Sequence, residues 1–203
     1  AALGLDTGRP VLVLTDDDNA ANRFAADLRG FSERDVVQLP SRELVMADVV
    51  GVSRGYEQRR LAALDELTEA HFAVASVQAA AQRTMPPEAL KAAIVSLATG
   101  ETAPLDELTH ALTRAGYERC VQVEGTGQFS IRGGILDVFP PQAEHPYRVE
   151  FWDDEIDSIS TFDVGSQRRL EQCECLRCLP CMESIPALAK GGAAGLAKAV
   201  LAL

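Results

Sequence analysis

The chain reads as an α/β domain with a parallel sheet, followed by a β-rich α+β domain. Three observations carry that reading. In the first half, short apolar runs alternate with helical segments. A proline pair, Pro86-Pro87, breaks that rhythm. In the second half, side-chain character alternates with period two between glycine and proline punctuation.

The elements follow in order. Val11-Leu12-Val13-Leu14-Thr15 is a short apolar run and predicts a buried parallel strand. Asp16-Asp17-Asp18-Asn19 supplies an N-cap and an acidic first turn, so a helix follows from Ala20 to Leu28, with Phe24 and Leu28 on one face. Gly55 to Leu67 is the next helix, with Leu61, Leu64 and Leu67 spaced for one side. His71 to Val77 predicts a strand, and Gln78 to Arg83 begins another helix. Lys91 to Ala98 suits either a strand or a helix. Leu105 to Ala115 is amphipathic, with Leu105, Leu108 and Leu112 on one face, Pro104 at its first turn and Gly116 as its stop.

Beyond Gly116 the period changes to two. In Gln128–Arg132, Phe129 and Ile131 share one face, and Gln128, Ser130 and Arg132 share the other. In Tyr147–Trp152, Tyr147, Val149 and Phe151 oppose Arg148, Glu150 and Trp152. The one tryptophan of the chain thus falls on a polar face beside an arginine. That is the composition of a protein-docking hot spot, or else of a strand end where Trp152 curls back over the core. Asp153, Asp154, Glu155 and Asp157 read as a hairpin turn with solvated charges rather than a metal site.

Composition narrows the function classes. With 47% hydrophobic and 24% charged residues, the 203-residue chain is expected to fold as a globular protein. Its formal net charge of −11 argues against sequence-independent binding to nucleic acid, which needs clustered Lys and Arg. No apolar run approaches a membrane span and no signal peptide opens the chain, so cytoplasm is the expected location. The opening Ala1-Ala2-Leu3-Gly4 and the helix-like close predict a segment of a longer protein. No glycine-rich loop ends in Gly-Lys-Ser/Thr, so no phosphate cradle is expected. The strand through Val74 ends in Ala75-Ser76-Val77, with no acidic metal-binding motif. His71, His110 and His145 are dispersed and read as ordinary histidines.

The sharpest rival signal is Cys173, Cys175, Cys178 and Cys181. Four thiolates at that spacing could hold zinc or an iron–sulfur cluster. The preferred reading is core substitution. Cys173 and Cys175 alternate with Glu174 as inward-facing residues of a strand would, and free cysteine is a common small core residue. Cys120 also reads as core.

The stretch from Gly125 to Arg169 carries a family resemblance. Its Arg132-Gly133, Leu136-Asp137, Phe139-Pro140, Pro146-Tyr147-Arg148, Asp153 to Ser158, Phe162-Asp163 and Ser166-Gln167-Arg168 resemble the signature of the transcription-repair coupling factor (Mfd) family. They match its N-terminal region, which is homologous to UvrB. The resemblance implies a degenerate helicase-like domain without Walker motifs over residues 1–94. An inserted β-rich, UvrA-binding domain would follow over 95–178, and 179–203 would begin the return to the first. In UvrB a long aromatic hairpin grips DNA. Here Leu39 to Ser53 is short, with Tyr56 the first aromatic after it, so the chain looks like the coupling factors rather than UvrB.

Carried over by resemblance, the UvrA contacts fall on Arg132, Arg148 and Trp152, with Arg119 matching a UvrB-type contact. Ser130 stands where UvrB relatives have a further arginine. The resemblance implies no cofactor in this segment. ATP and Mg would belong to a translocase motor elsewhere in the parent protein, as would the contacts to RNA polymerase and DNA. The rival readings are a four-cysteine metal module and a UvrB-type ATPase fragment.

Overall fold

The computed structural model describes residues 8–42 and 54–183, together with positions 191, 194, 195, 198 and 201. Residues 43–53 of the short Leu39–Ser53 segment, and most of the expected return segment, therefore lie outside the described residues. The chain is a mixed α/β protein. It divides into two units, Ala1–Pro87 and Glu88–Leu203.

The first unit is a three-stranded parallel sheet in the order β1-β3-β2, built from β1 (Val11–Thr15), β2 (Val36–Leu39) and β3 (Phe72–Ser76). Helix α1 (Asp18–Phe31) starts where the sequence places a cap. The Asp17 carboxylate accepts from the Ala20 amide at 2.7 Å, satisfying one of the free first-turn donors. Pleating divides the sheet into two faces. Ala21, Ala25 and Leu28 of α1 pack with Val36, Phe72 and Val74 on one. On the other, Val37, Leu39 and Ala75 meet Ala63 of α2 (Arg54–Glu66) and Ala79 of α3 (Val77–Ala81).

Two sequence expectations change here. β1 is parallel, as expected, but it is an edge strand of the described sheet rather than a buried one. Leu12 and Leu14 are 60% and 52% exposed, because no described element covers that side of the edge. The buried stripe of α1 runs through Ala21, Ala25 and Leu28, while Phe24 is exposed. A helix that sits close on a small sheet uses small residues, and the bulky phenylalanine is left on the outer side.

In the second unit, the undecided stretch from Lys91 to Ala98 turns out to be both elements in succession. Helix α4 (Pro87–Ala93) gives way to β4 (Val95–Ala98), which pairs antiparallel with β11 (Cys175–Cys178). Helix α5 (Leu105–Arg114) buries Leu108 and Leu112, with Leu105 packed alongside.

The main sheet has six strands in the order β10-β9-β8-β7-β6-β5. They are β5 (Glu118–Arg119), β6 (Gln128–Arg132), β7 (Ile135–Phe139), β8 (Tyr147–Trp152), β9 (Glu155–Phe162) and β10 (Arg169–Cys173). All neighbours are antiparallel except β5 and β6. Phe129, Leu136, Val138, Val149 and Ile159 face the core with Leu108, Leu112 and Leu176.

Gly116 ends α5 with φ +89°, a conformation that costs an L side chain about 1 kcal/mol or more. A Cβ there would also lie 2.9 Å from Met182 Cε. We expect Gly116→Ala to lower the unfolding free energy by about 1–2 kcal/mol, read as a shifted urea midpoint.

Candidate functional site, a polar sheet face with an exposed tryptophan

The faces read from the alternation hold in the structure. On β8, Arg148, Glu150 and Trp152 lie on one side, and Val149 and Phe151 pack into the core on the other. A bulge interrupts the ladder with β9, where Glu150 pairs with Ser158 and Phe151 with Ile156. The extra residue, Asp157, is on β9, so β8 alternates without a break. Cross-strand register then aligns Ser130, Asp137, Arg148 and Ser160 in one row across β6, β7, β8 and β9.

Asp137 and Arg148 form the centre of that row. Arg148 Nε donates to Asp137 Oδ1 at 2.7 Å and Nη2 to Oδ2 at 2.9 Å, a two-point pairing. Nη2 also donates to Gln167 Oε1 at 3.2 Å, and the guanidinium lies 4.5 Å from the centre of the Phe162 ring. The side chains of Arg148 and Asp137 are 19% and 4% exposed. Hydrogen bonding to Asp137 raises the Arg148 pKa against the opposing effect of burial. Arg148 is thus a half-buried, fixed cation and not a loose surface charge.

Arg132 is different. It touches Asp137 Oδ2 only at 3.4 Å, and its side chain is 55% exposed. Trp152 is 82% exposed, so it does not curl back over the core. Both stand at one end of the sheet. The amide of Phe151, beside Trp152, donates to the carbonyl of Gly134, two residues beyond Arg132, at 2.8 Å. Arg119 stands apart. Its parallel pairing with Phe129 puts it on the core-facing side of the sheet, exposed at the β5 edge. Ser130 is buried, its hydroxyl donating to the Val121 carbonyl at 2.8 Å.

Beside the row, Glu150 accepts from Arg169 at 2.7 Å and from Ser158 at 2.9 Å, and these bonds lower its pKa. Asp163 is held low by hydrogen bonds from Ser166. In the first unit burial pushes Asp18 up. Hydrogen bonds from Ser76 and Ser41, with the Arg60 charge, outweigh it and leave the carboxyl low. A carboxyl depressed in the folded state contributes stability above its unfolded pKa of about 4, and that contribution disappears as pH falls through the folded value. We therefore expect the urea midpoint to be level from pH 7 to 5 and to drop below about pH 4.

The cysteines do not share one environment. Cys173 ends β10 half-buried, and Cys175 opens β11 exposed. The alternation around Glu174 therefore is not that of one strand: the chain bends there and changes sheet. Cys178 and Cys181 are buried in the core beside Tyr117, as core substitution requires. Burial pushes the Cys178 thiol up to about 12, so it is protonated at neutral pH. Among the described residues, no three His, Cys, Asp or Glu side chains gather where a metal could sit. Asp153, Asp154, Glu155 and Asp157 are exposed around the β8–β9 hairpin turn. No helix among the described residues is long and apolar enough to cross a membrane.

Sequence reasoning missed Asp137 and Gln167 as partners of Arg148. A signal existed for the first. In Ile135–Phe139, period two sets Asp137 on the side opposite Leu136 and Val138, the same side as Arg148 once the strands pair.

Known proteins are similar to this chain in sequence. The family model described as the UvrB interaction domain matches residues 95–183, the span that holds all six strands of the sheet. Residues 95–183 are thus similar to the UvrB interaction domain family. Most of the chain is also similar to proteins named transcription-repair-coupling factor. It is 35% identical over 189 residues to that of Bacillus subtilis, covering 91% of this chain and 16% of the relative. With that of Haemophilus influenzae it is 33% identical over 174 residues, covering 85% and 15%. With that of Mycobacterium bovis it is 37% identical over 175 residues, covering 81% and 14%. The chain thus spans about one-sixth of the length of the curated relatives it matches. Arg132, Arg148 and Trp152, with Asp137 and Gln167, all lie inside the span that matches the UvrB interaction domain model.

Proposed function

We propose that this chain is the UvrA-docking module of a transcription-repair coupling factor, acting in transcription-coupled nucleotide excision repair. One observation carries the reading. Within the UvrB interaction domain, an almost fully exposed tryptophan and a half-exposed arginine share one end of a polar sheet face. Large aromatics and arginines are the residues in which binding energy concentrates, and an exposed Trp152 supports nothing in the fold.

In this reading Arg132, Arg148 and Trp152 meet UvrA, and Arg119 contributes from the sheet edge. The first unit is the degenerate helicase-like domain and performs no catalysis. ATP and Mg act at a motor elsewhere in the parent protein, which displaces stalled RNA polymerase by translocating on DNA. The segment takes neither nucleotide nor metal, works away from membranes and is cytoplasmic. Calorimetric titration of UvrA into the chain tests the proposal. Saturable binding that Trp152→Ala and Arg132→Ala weaken supports it. Absence of binding by the folded parent chain overturns it.

A further inference from the structure

Arg148 has more partners than a docking arginine needs. Nε and Nη2 are occupied by Asp137 and Gln167, and Phe162 lies against the guanidinium. Nη1 makes no hydrogen bond among the described residues, and the Arg148 side chain as a whole keeps 19% exposure. The clamp on the Gln167 side is itself built. Gln167 adopts φ +59°, a left-handed conformation uncommon for residues other than glycine. Its amide nitrogen donates to the Asp163 carbonyl at 2.8 Å, and its side-chain Nε2 to the Val164 carbonyl at 2.8 Å. That second bond turns Oε1 toward Arg148. The turn is closed by Ser166, which donates to Asp163 Oδ1 through both its amide and its hydroxyl, at 2.7 and 2.6 Å.

We propose that Asp137 and Gln167 are positioning residues of the docking face. They fix Arg148 from two sides so that its Nη1 donors are preset for an acidic acceptor on the partner. The inference rests on the UvrA-docking reading and adds to it a chemistry: the partner brings carboxylates to Arg148 and to neighbouring Arg132. Preorganisation is the gain. A long arginine chain ordered before binding loses less conformational freedom when it binds. The chain as a whole is strongly acidic, so an arginine pair held on one face also sets where an acidic partner can approach.

The test is a calorimetric titration of UvrA with the parent chain and with Gln167→Leu, Gln167→Glu, Arg148→Ala and the double variant Gln167→Leu/Arg148→Ala. Gln167→Leu keeps the bulk and removes the acceptor. It should weaken binding about fivefold, the scale of one lost hydrogen bond. Gln167→Glu retains an acceptor oxygen but loses the donor to the Val164 carbonyl, so it should bind more tightly than Gln167→Leu and no more tightly than the parent. In the Arg148→Ala background, Gln167→Leu should have no further effect, because the glutamine acts only through that arginine. A purely structural turn residue would not show this coupling.

Parent-like binding by Gln167→Leu overturns the proposal, as do losses that simply add in the double variant. Arg132→Ala, which leaves Gln167 and Asp137 in place, separates the two failures. If Arg132→Ala weakens binding while Gln167→Leu does not, the docking reading stands and the positioning role falls. If the folded parent does not bind UvrA, the docking reading falls and takes this inference with it.

Discussion

Trp152→Ala should lower affinity for UvrA about thirtyfold, close to 2 kcal/mol, with no change in the urea midpoint of the chain. The two halves of that expectation come from one fact. The indole is 82% exposed and contributes almost no burial to the fold, so removing it leaves no cavity. A partner that covers it gains that whole area at the centre of the contact. Arg132→Ala should act in the same direction, since among the described residues the arginine's ion pair is a single long contact at 3.4 Å. Phe129→Ala is the contrast. That ring is fully buried between the sheet and α5, and its loss should cost about 3–4 kcal/mol of stability. Equal UvrA binding by the parent and by folded Trp152→Ala would place the docking contact elsewhere on the molecule.

The polar face is legible in the sequence for a physical reason. Antiparallel strands with one side in a core impose period two on the residues themselves, and Tyr147–Trp152 and Gln128–Arg132 carry it without interruption. Helix α5 is equally legible, because Leu105, Leu108 and Leu112 and the Gly116 stop are all local signals. Other features depend on pairing partners that a linear reading does not contain. Val11–Thr15 looks like a central strand by its apolar content, and only the strand order reveals it as an edge. Cys173 and Cys175 look like one strand, and only the change of sheet at Glu174 separates them. Lys91–Ala98 is ambiguous because a helix end and a strand start share one apolar run.

Within the site, the same distinction decides what a linear reading can reach. The face on which Arg132 and Trp152 stand follows from alternation, although alternation leaves open whether Trp152 curls back over the core. The buried middle does not, because Asp137 and Gln167 meet Arg148 across 11 and 19 residues of chain. A turn with a left-handed glutamine has no simple sequence signal, since that conformation is normally marked by glycine or asparagine.

Arg148→Ala should therefore behave unlike the other two docking variants and lower the unfolding free energy by about 3 kcal/mol. The sequence alone makes Arg148 a wet-face residue whose loss affects binding only. In the structure it neutralises Asp137, whose side chain is 4% exposed. Truncating the arginine leaves that carboxylate desolvated, with Arg132 at 3.4 Å as its remaining ion-pair partner. It also removes the cation from above the Phe162 ring. The penalty belongs to the uncompensated charge rather than to the pair, so the double variant Asp137→Ala/Arg148→Ala should recover part of it. Urea unfolding of the parent, both single variants and the double variant reads this directly. An Arg148→Ala midpoint equal to that of the parent would show that Asp137 is solvated without it. Any loss of UvrA binding by Arg148→Ala must then be measured at a temperature where that variant remains folded, since unfolding would lower the apparent affinity by itself.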